Sequence, residues 1–72
     1  MVPHLSEEMR NNVGKLAKYD GIVWEIKGTI MKSDGYGHYS TDWWEYTLEH
    51  SDGFVTLKDT ARPHKVEIVE RP

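Results

Sequence analysis

Polar and apolar residues alternate most regularly from Ile22 to Met31. The pattern predicts a β-strand with Ile22, Trp24, Ile26 and Ile30 on one face together with Gly28, and Val23, Glu25, Lys27, Thr29 and Met31 on the other. A second alternating run, Asp42 to Glu49, divides into Trp44, Tyr46, Leu48 and, opposite them, Trp43, Glu45, Thr47, Glu49. Successive strand side chains point to opposite faces, so the adjacent indoles cannot share one core. Trp44 goes with the apolar set, and Trp43 is expected on the outer face. Shorter strands are expected at Lys15 to Tyr19, Phe54 to Leu57 and Lys65 to Glu70, the last with Val66 and Ile68 pointing one way. The expected core is Trp24, Ile26, Trp44, Tyr46, Leu48, Val66 and Ile68.

Between these runs the turn chemistry is explicit. Asp20-Gly21 is a two-residue hairpin signal, and His50-Ser51-Asp52-Gly53 reads as a turn. Asp59 to His64, with Pro63, reads as a tight turn or one turn of 3₁₀ helix, and Lys32 to Thr41, with Asp34-Gly35 and Gly37, as the longest loop. An interior Gly28 marks a bulge or sharp bend. At the N-terminus the period differs: Leu5, Met9 and Val13 fall on one helical stripe, with Ser6 as N-cap, Glu7 and Glu8 in the first turn and Gly14 as the stop. Asn11 and Asn12 weaken this helix.

Five short strands with a bend in the longest predict a mainly β fold, a small five-stranded antiparallel barrel or strongly bent sheet with a short N-terminal helix. The rival arrangement is a three- or four-stranded sheet with the helix packed across it. A single domain is expected over residues 1–72, a helical or irregular segment at 1–13 preceding the barrel at 14–70. The stretch Lys18-Tyr19-Asp20-Gly21 leading to Trp24-Glu25-Ile26-Lys27-Gly28, followed by Trp44-Glu45-Tyr46-Thr47-Leu48, resembles small bacterial and bacteriophage modules of SH3-like type. That resemblance implies binding to proteins or nucleic acids, and it supplies no catalytic residue.

Composition narrows the chemistry. There is no cysteine, hence no disulfide framework and no thiolate zinc site, which fits a reducing, cytoplasmic location. The start has no cationic region followed by an apolar run, and the longest apolar run, Ile22 to Trp24, is too short to span a bilayer. Net charge is −3 with the signs interspersed, so nucleic acid and membrane are not the expected partners. A monomer is expected. His4, His38, His50 and His64 lack short ligand spacing, and no metal or cofactor is expected. His38, Ser40 and Asp42 are the residue types of a hydrolytic triad but sit too close along the chain, and Gly35 and Gly37 precede no phosphate-binding helix. Glu45 and Glu49 share a strand face, with Glu25 as a neighbour across the sheet, where solubilising carboxylates outnumber catalytic ones. No enzyme is expected.

Tyr36, His38, Tyr39 and Trp43 form an aromatic set, and Trp and Tyr dominate interface hot spots. The expected binding residues are Trp43, Tyr36, Tyr39, His38, Glu45 and Glu49. They are expected to dock the chain onto a protein partner by occlusion, with Asp42, Glu45 and Glu49 at the rim, and size and acidity are those common among phage or mobile-element regulators that bind a host protein. The opposing reading has the 33–41 loop folding back so that its tyrosines shield Trp43. Two other function classes compete: a reader of peptides or modified residues on an aromatic and acidic surface, and single-stranded nucleic-acid binding by stacking on Trp43 and Tyr39 with Lys15, Lys18, Lys27, Lys32 and Lys58 on phosphates.

Overall fold

In the computed structural model, which describes residues 4–36 and 39–69, a short helix precedes a single antiparallel sheet. The elements are α1 (Glu7–Asn12), β1 (Leu16–Tyr19), β2 (Ile22–Tyr36), β3 (Tyr39–Ser51), β4 (Thr56–Ala61), a 3₁₀ turn (Pro63–Lys65) and β5 (Glu67–Val69). The five strands lie in the order β4-β3-β2-β1-β5, and the sheet is open. Among the described residues no ladder joins β4 to β5.

Helix α1 forms where its end signals place it. The Ser6 hydroxyl accepts from the Met9 amide at 3.1 Å, and Glu7 and Glu8 occupy the first turn. It docks through Met9 and Asn12. Asn12 is a weak helix former, yet it is buried and its side-chain amide donates to the Tyr46 hydroxyl at 3.0 Å, tying helix to sheet. Asp20 and Gly21 both have positive φ, 53° and 75°, the backbone of a two-residue hairpin turn whose twist matches the strands.

The inner face of the sheet carries Ala17, Trp24, Ile26, Tyr46, Leu48 and Ala61, buried together with Met9. Trp44, Val66 and Ile68 pack against this cluster but are only half-buried, because they lie where the second layer runs out. The Trp24 indole donates to the Tyr19 carbonyl at 2.9 Å and meets the His50 ring edge-on, with centroids 6.1 Å apart. His50 is thus a strand residue, and its Nδ1 lies 3.0 Å from the Val23 carbonyl. It is not the turn histidine that its neighbours suggested.

The bend falls at Gly28, and it changes the face assignment beyond it. Ile26 pairs with Leu48 but Gly28 pairs with Thr47, so Lys27 is the inserted residue of a β-bulge. A Cβ at Gly28 would stand 3.3 Å from the Thr47 hydroxyl oxygen, a tight approach that a side chain could make only if Thr47 shifted by a few tenths of an ångström. One extra residue reverses the parity. Ile30, expected with Ile26, instead lies opposite Glu45 on the outer face, whereas Met31 lies opposite Trp44 on the inner one.

The long loop expected at 32–41 is not a loop up to Tyr36 or after Tyr39. Lys32 pairs with Trp43, Ser33 with Asp42, Asp34 with Thr41, Gly35 with Ser40 and Tyr36 with Tyr39. The Ser33 hydroxyl donates to Asp42 across the ribbon at 2.5 Å. Turn-forming residues are tolerated here because the ladder supplies their backbone bonds and no core excludes them. The fourth strand is also displaced. Phe54 is in the turn, and β4 extends through Asp59 and Thr60 to Ala61, leaving only Pro63–Lys65 as the 3₁₀ turn.

Candidate functional site

Beyond Ile26 the β2–β3 hairpin runs on past its neighbours. The ladder with β1 ends at the Leu16–Glu25 rung, and the ladder with β4 ends at the Tyr46–Ala61 rung. The remainder, residues 27–36 and 39–45, is a two-stranded arm that gives the molecule its 44 Å long axis.

The outer face of the arm bears Ile30, Lys32, Trp43 and Glu45. Trp43 is half-buried there, with a residue of distant sequence over its ring. The Arg62 guanidinium carbon lies 4.3 Å from the indole centroid, a cation–π contact worth about 0.5–1 kcal/mol at an exposed site. The indole Nε1 donates to the Glu45 carboxylate at 2.5 Å. Glu45 is held below its ordinary value, first by that hydrogen bond and then by the Thr60 hydroxyl and the charges of Lys32 and Arg62, against the opposing effect of burial. Glu45 therefore positions the indole more than it offers a free rim charge.

This coupling has a pH signature. Glu45 titrates lower in the folded chain than the 4.5 of an ordinary glutamate, so its contribution is complete above that value and is lost as pH falls through the folded pKa. The Trp43 indole N–H resonance is expected to move with a midpoint below 4.5, and Glu45→Gln to abolish that step. A Trp43 resonance that titrates unchanged in the Gln variant would show that Glu45 does not hold the ring.

Glu49 sits on the outer face too, opposite Glu25 and Lys58. Lys27 bonds Glu25 at 2.9 Å along its own strand rather than across the sheet, and its pKa is raised, chiefly by that bond. A shallow groove between Lys27, Thr47, Glu49 and Lys58 is lined by alternating charges. Both shifted carboxylates, Glu45 and Asp52, are stabilised as anions, the wrong direction for a proton donor at neutral pH. Tyr36 and Tyr39 face each other as the last described rung of the arm. His38 lies outside the described residues. Among those described, no cluster of three His, Asp or Glu side chains could hold a metal ion, and no helix is long and apolar enough to cross a membrane.

At the opposite end of the molecule the β3–β4 turn displays Phe54 at 97% exposure, followed by exposed Val55 and Leu57. The turn is built rather than slack. The Asp52 carboxylate accepts from the Phe54 and Val55 amides, both at 2.9 Å, and these bonds hold its pKa low, the Val55 bond foremost. Gly53 takes φ +96°, where a side chain would be strained. Sequence alternation had placed Phe54 in a strand, and only the Asp-Gly pair before it hinted otherwise. Arg62 left no local signal at all.

The chain matches no protein-family model, no curated protein and no solved structure. The site must be read from its own chemistry. Its outer face combines an indole held by two partners, an aliphatic side chain beside it and a mixed-charge surround, a composition suited to a macromolecular surface and not to a small enclosed substrate.

Proposed function

We propose that this chain is a non-enzymatic protein-interaction module that docks through the outer face of the β2–β3 arm, with Trp43 as anchor and Ile30 beside it. The observation that carries the reading is the arm itself. A two-stranded ribbon is marginal in water by itself, yet the outer face of this one carries Ile30 and Trp43 at exposed or half-exposed positions. A partner surface would supply the missing layer. The strand order, with the 3₁₀ turn leading β4 into β5, supports reading the body as an SH3-like barrel.

The interaction is one of occlusion, in which the indole fills an apolar pocket while Lys32, Glu45 and Arg62 meet the partner's rim; Asp42 lies on the opposite face of the arm. A methyl-lysine cage is disfavoured because Arg62 already occupies one face of the Trp43 ring. Single-strand binding is disfavoured because Asp34, Asp42 and Glu45 outnumber Lys27 and Lys32 on the arm, so no basic stripe forms there.

Trp43→Ala is expected to weaken binding to a partner captured from lysate and identified by mass spectrometry by about 2 kcal/mol or more, with little loss of stability. Titration calorimetry and thermal melts separate the two effects. Unchanged affinity for the captured protein would remove Trp43 as the anchor. A loss of stability as large as that of a core substitution would move it into the core.

A further inference from the structure

Apart from the faces of the arm, the β2 edge is itself unpartnered. The last backbone hydrogen bonds on that side are Ile26 N–H to the Lys15 carbonyl and Gly14 N–H to the Ile26 carbonyl. Among the described residues, no strand pairs with β2 from Gly28 to Tyr36 on the side away from β3. An extended edge of this length is a template for another strand unless charge or shape forbids it. The β3 edge of the arm is different, because Arg62 and the 3₁₀ turn flank it next to Glu45.

We propose that the arm pairs through its β2 edge with the same edge of a second copy, forming an antiparallel, two-fold symmetric dimer centred on Ser33. The occupant follows from the charges. A two-fold axis normal to the sheet preserves faces, so it must pass through a residue opposite its own symmetry mate. Centred on Lys32 it would oppose two lysines, and centred on Asp34 two aspartates, both unfavourable. Centred on Ser33 it sets Lys32 opposite Asp34 of the second copy, and Asp34 opposite the second copy's Lys32. In the same register Ile30 and Tyr36 become cross-strand partners, and Met31 meets Gly35, the small residue that leaves it room. The edge thus rejects the two adjacent registers and favours the one centred on Ser33.

Sterics agree. The strands run antiparallel, so each copy's Tyr36 lies opposite the other's Ile30 and the two bodies lie at opposite ends of the pair. Seven residues on each side, 30 to 36, form about 24 Å of ladder. The outer face with Trp43 remains open on both copies. The proposal therefore stands independently of the partner reading, although it would make that partner's binding bivalent. It departs from the monomer expected from the sequence.

The test is oligomeric state by sedimentation equilibrium with charge exchange at the edge. The parent chain is expected to be a dimer, Lys32→Glu and Asp34→Lys each to raise the dissociation constant by about tenfold or more, and the double exchange to restore it. Because the chain has no cysteine, Ser33→Cys adds a geometric readout. Residues opposite each other in an antiparallel ladder have Cα atoms about 4.5–5.5 Å apart, within disulfide range, so this variant should cross-link under mild oxidation while Thr41→Cys on the far strand does not. A parent that stays monomeric at its highest soluble concentration overturns the proposal. So does a dimer indifferent to either charge reversal, a double exchange that fails to restore it, or a Ser33→Cys chain that does not cross-link. A dimer that forms while Trp43→Ala leaves capture unchanged would retain this inference and remove the partner reading.

Discussion

Trp24→Ala is expected to lower the unfolding free energy by about 3–5 kcal/mol, close to the whole net stability of a domain this small. The indole is only 5% exposed, sits centrally on the inner face, and satisfies the Tyr19 carbonyl at the adjoining hairpin turn. Removing it leaves a void between β1 and His50 that a single-layer sheet with one helix cannot collapse to fill. Trp24→Phe should cost less, since it keeps most of the packing and loses mainly the hydrogen bond. Trp44→Ala should also cost less, because that ring is half-buried at the margin of the core. Urea denaturation of the three variants gives the ranking. A Trp24→Ala chain within about 1 kcal/mol of the parent would mean that the core lies elsewhere.

The second large effect concerns one hydrogen bond. Tyr46→Phe is expected to destabilise the chain by about 1–3 kcal/mol, although it removes a single oxygen, because the Asn12 amide is left buried with no acceptor. Adding Asn12→Leu to Tyr46→Phe should recover part of the loss, since an apolar pair needs no partner. This double-mutant cycle distinguishes a true helix-to-sheet tie from simple ring packing, for which the two changes would be additive. Additivity within a few tenths of a kcal/mol would remove the tie.

The two elements these variants probe were unequally visible beforehand. The outward side of Trp43 followed from strand parity alone, as did the inward side of Trp24, Ile26, Tyr46 and Leu48, because parity is local and needs no knowledge of partners. Gly28 announced a bend, but whether the bend inserts a residue depends on the facing strand. The side taken by Ile30 was therefore misread. The arm was missed because Ser33, Asp34 and Gly35 have turn chemistry, and their strand state comes from pairing with residues 40 to 42. Asn12 looked only like a poor helix former, since its partner is 34 residues away. Arg62 over Trp43 has no periodic signature, and Phe54 reads as the first residue of a short strand rather than as part of the turn. Among the expected site residues, Trp43 and Glu45 are in direct contact, Glu49 lies further along the same face, and Tyr36 and Tyr39 stand at the far end of the arm.

The arm has a further consequence for how the molecule breathes. Past the Met31–Trp44 rung its amides are protected by one ladder only, with no buried residue of the core cluster on either strand, so they can open without disturbing the Ile26–Leu48 centre. Hydrogen exchange should therefore divide the chain into a slow body, whose amides report global unfolding, and a fast ribbon that reports a local equilibrium of its own. Anything that seats against the ribbon would draw its exchange toward that of the body. The chain would become a single cooperative unit only when occupied.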